Sequence, residues 1–235
     1  MRGHVELADG VHQLATQPGI NCWVLRDDAG VTLVDTGLAR PGLIPKLGRL
    51  GIAPGEVTRV LLTHGHPDHA GGIAGLVRAG ATPSIEVGEQ DLATVRGEQG
   101  QPTSDTSMRL GRFFNRLPRA GAFATPVRHP EAVALQPGDV LPAAGGVEVV
   151  ATPGHTPGHL AFHLTAHDLI IGGDVLFNIF SLRPAPSFLC WRIPANATSV
   201  TRLADLAPGT LALAHGRAVT DDVAGRLRQV IADTT

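Results

Sequence analysis

Only two cysteines occur in 235 residues, and Cys22 and Cys190 form neither a CxxC pair nor a disulfide framework. Each stands beside a tryptophan in an apolar setting, so both read as buried thiols. No excess of basic residues exists either: the formal charge is −2 and the pI is near 6.6. A chain without a positive field is not drawn to nucleic acid, so a phosphodiester polymer is disfavoured as substrate or partner. Nowhere do 18 uncharged apolar residues run together, and residues 1–10 carry acidic and polar side chains rather than an apolar leader core. No stable membrane insertion is expected, and the cytoplasm is the expected compartment. What the chain does have is 43% apolar against 17% charged residues. That supplies a buried core and excludes disorder, and the length suits a single domain spanning 1–235.

Short β-rich runs open the chain at 11–14, 21–25 and 31–35, and the turn at 27–30 makes the last two a hairpin within an antiparallel meander. Pro41 followed by Leu43, Ile44, Leu47 and Leu50 has helical spacing, with Gly51 placed to end it. A buried strand at 60–62 leads through a loop to a helix at 73–78 and a strand at 84–87. Residues 88–128 read as helical, broken near 100–102. The second half is expected to hold strands at 133–135, 147–151, 160–164, 169–171 and 211–214. Helices are expected near 198–206 and at 221–231, the latter capped by Thr220. Two sheets packed face to face with helices outside suit this order.

The segment Thr63-His64-Gly65-His66-Pro67-Asp68-His69 packs three imidazoles and a carboxylate into six residues at the end of an apolar strand. Imidazole nitrogen and carboxylate oxygen are the ligands that borderline metals such as zinc prefer, and one such loop can serve two ions. Further ligands should then lie at other strand ends, far apart in sequence. His155 follows strand 147–151, Asp174 ends the run Leu169-Ile170-Ile171-Gly172-Gly173, and His215 follows Leu211-Ala212-Leu213-Ala214. His163 alternates out of phase with Leu160, Phe162 and Leu164 and is expected to face solvent. His4, His12, His129 and His167 have no ligand context.

His-x-His-x-Asp-His, Gly-His-Thr-Pro-Gly-His, Gly-Gly-Asp and Ala-His-Gly, preceded by Leu33-Val34-Asp35-Thr36-Gly37, together resemble the metallo-β-lactamase superfamily, in its glyoxalase II-like branch. The resemblance runs in order through residues 11–217. It implies a four-layer αββα sandwich of two mixed sheets flanked by helices, with the site at the sheet edges. It implies two zinc ions, with iron or manganese as alternatives: His64, His66 and His155 on the first, Asp68, His69 and His215 on the second, Asp174 between them. Asp35 would be the acid that orients a ligand imidazole. His159 recurs in the resembling motif but reads as a structural hydrogen-bonding residue.

Two metals about 3.5–4 Å apart can share a water and lower its pKa toward about 7, presenting a bridging hydroxide at neutral pH. Hydrolysis of a small thioester or ester is the expected reaction, with Asp68 orienting the nucleophile and carrying its proton. True β-lactamases lack the bridging acid, which disfavours a β-lactam amide. Only 20 residues follow His215, too few for the helical glutathione-binding domain of glyoxalase II. The chain contains no tyrosine, whereas the similar acyl-homoserine lactonases place one beside the substrate carbonyl. A lactonase or a β-lactamase-like amide hydrolase therefore stays an alternative, as do an iron-dependent oxidoreductase of the persulfide dioxygenase kind and a non-catalytic metal-binding protein.

Beyond the metals, Asn178 and Arg183 lie on the segment leaving Asp174 and are candidates to meet substrate. Between 107 and 119, Leu110, Phe113, Phe114 and Leu117 fall at helical spacing, with Arg109, Arg112, Arg116 and Arg119 on a neighbouring face. Three expectations compete for this helix: a cap attracting an anionic, partly apolar small molecule, a contact surface for a second copy or a membrane, and an ordinary helix with its apolar stripe on the core.

Overall fold

The computed structural model describes residues 4–28, 30–118 and 121–234. Its first sheet has seven strands in sequential order: β1 (His4–Ala8), β2 (Val11–Gln17), β3 (Ile20–Asp27), β4 (Gly30–Val34), β5 (Val57–Leu62), β6 (Ser84–Gly88) and β7 (Val133–Leu135). The first four run antiparallel, as the expected meander requires, and β4 to β7 run parallel. Parallel neighbours need crossovers. These are α1 (Leu43–Arg49), then α2 (Pro67–Ala70) with α3 (Ile73–Arg78), then a longer passage holding α4 (Glu89–Arg96) and α5 (Arg109–Phe114).

The second sheet contains β8 (Val140–Leu141), β9 (Val147–Ala151), β10 (Leu160–Leu164) and β11 (Leu169–Ile171). A two-stranded ribbon, β12 (Leu176–Phe177) with β13 (Arg183–Pro184), then leads to α6 (Ile193–Leu206). β14 (Thr210–Ala212) returns parallel to β11 at the sheet edge, and α7 (Val223–Ala232) closes the described chain.

Strand alternation divides the apolar residues among three layers of core. Trp23, Leu25, Val34 and Leu61 of the first sheet meet Val149, Phe162, Leu164 and Ile171 of the second. The opposite face of the first sheet, with Val24, Leu33 and Val60, is covered by Leu43 and Leu47 of α1 and Ile73 and Leu76 of α3. Ile170 and Leu211 face Val200 and Leu203 of α6 and Leu227 of α7. The result is the helix–sheet–sheet–helix sandwich expected. α1 ends as its sequence suggests, with Gly51 at φ +71° and Ile52 N–H returning to Leu47 C=O at 3.0 Å.

The parallel pairs also decide where the strands terminate. β4 and β5 end at the same edge of one sheet, while β9, β11 and β14 run in a common direction in the other. Two backbone bonds pin these edges together: Leu160 N–H to Thr63 C=O at 2.8 Å, and Asn21 N–H to Ala214 C=O at 2.9 Å. Every loop carrying a ligand candidate emerges there.

Four expectations need correction. β1, not expected from the sequence, forms at His4–Ala8 because its ladder to β2 anchors an edge strand in which only Leu7 and Ala8 pack against the core. Among the described residues of 88–128 only α4 and α5 are α-helical, since Gly97 at φ +76° terminates α4 and Gly100 and Pro102 prevent its resumption. The last helix is capped by the Asp222 side chain, which accepts from Gly225 N–H at 3.1 Å, and not by Thr220. Finally, the helix expected at 107–119 is six residues long. Leu110 and Phe113 are 50% and 58% exposed, so the stripe does not pack on the core. Arg119 lies outside the described residues, as does Ala29 of the turn at 27–30.

Candidate metal centre

β5 delivers Thr63 and His64 to the edge, and the chain then turns into α2 with His66 as its N-cap residue and Pro67 at its first position. One helical turn places the His69 ring against that of His64, with centroids 3.9 Å apart, and Asp68 beside His69. His155 comes from the loop after β9, where Gly154 lies at φ +141° and a Cβ would run into the backbone of Asn196, so no side chain would fit. Asp174 follows β11 through Gly172 and Gly173, and His215 follows β14 through Leu213 and Ala214.

All seven side chains converge. His64 Nε2 and His155 Nε2 each lie 2.9 Å from His66 Nδ1. Asp68, His69 and His215 form a second group, with Asp68 Oδ2 3.8 Å from His69 Nε2 and 3.6 Å from His215 Nε2. Asp174 stands between them: its Oδ2 is 3.3 Å from both His155 Nε2 and His215 Nε2, and its Oδ1 is 3.5 Å from His69 Nε2. Each group could hold a metal ion.

Neighbours aim the imidazoles. His69 Nδ1 donates to Asp35 Oδ2 at 2.8 Å and His215 Nδ1 donates to the Gly19 carbonyl at 2.8 Å, which leaves both Nε2 atoms facing the acids. Asp35 also accepts from Thr63 N–H and Oγ1–H at 2.9 and 2.8 Å. It adopts φ +57°, a left-handed conformation that Asp tolerates better than most residues. His159 uses both ring nitrogens: Nε2 accepts from Asp174 N–H at 3.0 Å, so Nδ1 carries the proton toward Thr152 Oγ1 at 2.8 Å. It holds Asp174 by the backbone and has no nitrogen left over.

A bound cation fits this donor set. Tetrahedral zinc at 2.0–2.1 Å from imidazole sets its ligand atoms about 3.4 Å apart, close to the spacings found in both groups. His69 Nε2 and Asp174 Oδ1 are buried without a hydrogen-bond partner although they face each other. Burial and neighbouring imidazoles push His64 well below its ordinary value, and burial pushes His155 down to about 3. Those rings keep their lone pairs at neutral pH. Burial would lower His69 and His215 too, but Asp35, Asp174 and Asp68 hold His69 well above the usual imidazole range, and Asp174 above all raises His215. Burial would in turn raise Asp174, yet His215, His69 and His155 hold it well below the carboxylate range. Protons there stand where a divalent cation would displace them. The thiols offer no alternative nucleophile, since burial pushes Cys190 up to about 12 and Cys22 higher still.

The sequence matches the profile of the metallo-beta-lactamase superfamily over residues 15–215. The chain belongs to that superfamily. Among its relatives, the uncharacterized protein YobT of Bacillus subtilis is 29% identical over 227 residues, covering 90% of this chain and 89% of that one. The probable metallo-hydrolase YflN of the same organism is 26% identical over 239 residues, covering 92% and 87%. The hydroxyacylglutathione hydrolase of Chromohalobacter salexigens matches only in part, 37% identical over 91 residues and about a third of each chain (33% and 34%). The crystal structure of the metallo-beta-lactamase family protein TTHA1429 from Thermus thermophilus superposes with a TM-score of 0.75 at 24% identity, over 97% of this chain and 80% of that one. Superfamily membership together with the His and Asp groups supports a metal-dependent hydrolase.

The other residues singled out in the sequence lie as follows. Asn178 sits beside this candidate centre, but its side chain is committed to structure: Nδ2 donates to Arg217 C=O at 2.9 Å, while its N–H bonds His215 C=O at 2.8 Å. Arg183 is exposed and donates to Ser181 Oγ at 2.9 Å. His163 points away from the centre as expected, yet is half-buried beside Glu148 at 3.7 Å rather than solvated.

Two residues with no signal in the sequence support the loops of this candidate site. Asn21 donates to Leu213 C=O and Gly216 C=O at 2.9 and 2.7 Å, and so straddles His215. Asp91, on the first turn of α4, is buried and joins the two main ligand loops: Oδ2 accepts from Gly65 N–H at 3.2 Å and Thr156 Oγ1–H at 2.6 Å, and Oδ1 from Gly158 N–H at 2.8 Å. An acid early in a helix reads only as a favourable dipole partner. Replacing Asp91 by Asn places an amide against one of these donors. The variant should lose about 1–3 kcal/mol of stability and bind metal at least about tenfold more weakly. Thermal melting and competition against a metal buffer check this, and unchanged metal affinity would remove Asp91 from the site's support.

Proposed function

We propose that the chain is a dinuclear metal-dependent hydrolase, zinc-loaded, acting on a small thioester or ester. The observation that carries this reading is Asp174, whose carboxylate lies within 3.5 Å of imidazole nitrogens from both donor groups. One acid placed so can serve two ions, His64, His66 and His155 holding the first and Asp68, His69 and His215 the second. Zinc suits the neutral imidazoles and carboxylates, and iron or manganese would suit them as well. When bound, the metals supply an activated water and polarise the acyl carbonyl.

The chain's own groups then have separate tasks. Asp68 is close to both His69 and His215 and 8% exposed, which suits it to orient the attacking water and carry its proton to the leaving group. Asp35, through His69 Nδ1, and Gly19, through His215 Nδ1, keep the ring orientations constant during turnover. Asp174 spanning both groups is also what separates this site from the true β-lactamases it resembles, which favours an ester or thioester over a β-lactam. On α5 and just beyond it, Arg109, Arg112 and Arg116 favour an anionic substrate.

The test is a panel of thioesters, esters, lactones, β-lactams and phosphodiesters, assayed with zinc-loaded protein at low and high salt. A thioester or ester should lead, with anionic compounds losing several-fold in kcat/KM at high salt. In the double variant Arg112→Gln, Arg116→Gln that salt dependence should shrink. A phosphodiester or β-lactam in the lead refutes the substrate class, and salt-independent rates refute the role of the arginines.

A further inference from the structure

Aromatic side chains are scarce here, seven Phe and two Trp, and a fold this poor in them would be expected to spend them on its core. It does not. Only Trp23 and Phe162 are among the large side chains with no exposure. The other seven lie on three segments that border the metal edge: 113–123, 177–180 and 188–191.

Each segment is tied to a ligand loop. The Phe177 ring packs on the His215 ring with centroids 4.4 Å apart, and Asn178 N–H bonds His215 C=O. From there Ile179 and Phe180 project outward, 54% and 101% exposed. Trp191 N–H bonds His155 C=O at 3.0 Å, and Phe188 packs on Phe114 of α5 at 5.3 Å. Gln101 Nε2 donates to Gly65 C=O at 2.7 Å, so the passage containing α5 begins on the His64–His69 loop. It returns past α2 through the turn Gly121–Ala124, where Phe123 is exposed.

Exposed Phe113, Leu117, Phe123, Ile179 and Phe180 thus stand on segments around one centre, whereas the smaller Val5, Val77, Val133 and Val140 are exposed on other elements. Exposed apolar groups gathered about a reactive site mark a binding surface. We infer that these residues form a rim that receives the apolar acyl chain of the substrate, the arginines beside Phe113 meeting the anionic part of the same molecule. The inference rests on the ester or thioester reading above and narrows it to acyl groups long enough to lie across the rim.

The test uses zinc-loaded full-length protein and a series of acyl thioesters from acetyl to dodecanoyl on one anionic carrier. In wild type, kcat/KM should rise by at least about tenfold from acetyl to octanoyl, because each methylene withdrawn from water contributes. Phe180 is fully exposed, so Phe180→Ala has no packing to lose, and the octanoyl-to-acetyl ratio of kcat/KM should fall several-fold. The same ratio should be unchanged in Val140→Ala, which removes an exposed apolar group from β8.

A direct binding readout accompanies the kinetics: titration calorimetry with octanoate and acetate on the zinc-loaded protein, where octanoate should bind measurably tighter and lose that advantage in Phe180→Ala. If no ester or thioester is hydrolysed at any length but the octanoate preference persists, the proposed reaction fails and the rim stands. Equal rates at all chain lengths, or a ratio untouched by Phe180→Ala, overturn the rim and leave the hydrolase reading intact. Sedimentation onto anionic vesicles, or a dimer, that Phe180→Ala abolishes would reassign the rim to a membrane or a second copy and overturn the inference as well.

Discussion

Replacing Asp174 by Ala should lower turnover by about 10³-fold or more and strip metal from the protein. Three imidazoles, His69, His155 and His215, lie within 3.5 Å of this one carboxylate, and each donor group loses its shared acid when it goes. The fold should survive, because Asp174 is held to His159 through its backbone N–H, which the substitution retains. Circular dichroism therefore separates loss of metal from loss of structure. Asp174→Asn keeps an oxygen ligand without the charge and should retain more metal than the Ala variant. A folded Ala variant with its metal content and activity intact would show that Asp174 does not join the two groups.

Purified protein should carry close to two zinc equivalents, and dialysis against a chelator should abolish turnover and lower the melting temperature. Ligand linkage sets the scale: an ion present at 1,000 times its dissociation constant stabilises by about 4 kcal/mol. Acid should remove the ions in two stages, because protons compete differently for the two donor groups. His69 and His215 are held above the ordinary imidazole value by their acidic neighbours, so as pH falls they take up protons first and the Asp68, His69, His215 group empties first. His64 and His155 resist protonation to much lower pH, His155 to about 3, and their ion should leave last. Elemental analysis at successive pH values measures this, and the electronic spectrum of cobalt-substituted protein identifies which group empties. One equivalent at neutral pH, or release in a single step, contradicts two unlike sites.

The extent to which the primary structure foretold this differs between levels. The candidate metal-binding groups were legible because donors of the right chemistry sit at strand ends, and strand ends are visible as the points where apolar runs stop: Leu62 before Thr63-His64, Ile171 before Gly172-Gly173-Asp174, Ala214 before His215. The strands 133–135, 147–151, 160–164 and 169–171 and the helix 73–78 were legible for the same reason, since periodicity and turn residues are local. Residues 107–119 misled because Leu110, Phe113, Phe114 and Leu117 have helical spacing. That pattern says which residues share a face and not whether another element covers it. Here only Phe114 finds a partner, Phe188, and the rest of the face remains open.

What the chain determined by itself is therefore the chemistry: which side chains could donate, that they come from loops, and that they suit a metal. Which donors meet was decided by tertiary structure. His66 reaches His155 across 89 positions and Asn21 reaches the His215 loop across more than 190, because parallel β4 and β5 and the matched directions of β9, β11 and β14 send their loops to one edge. Asp91 is the clearest instance. Nothing near it in sequence marks it, and its function arises only where the α4 N-terminus, with Gly88 against Gly158, is pressed between the two loops it ties. Spacing governs contacts within a few residues; contacts between loops far apart depend on sheet register and direction, which no local pattern encodes.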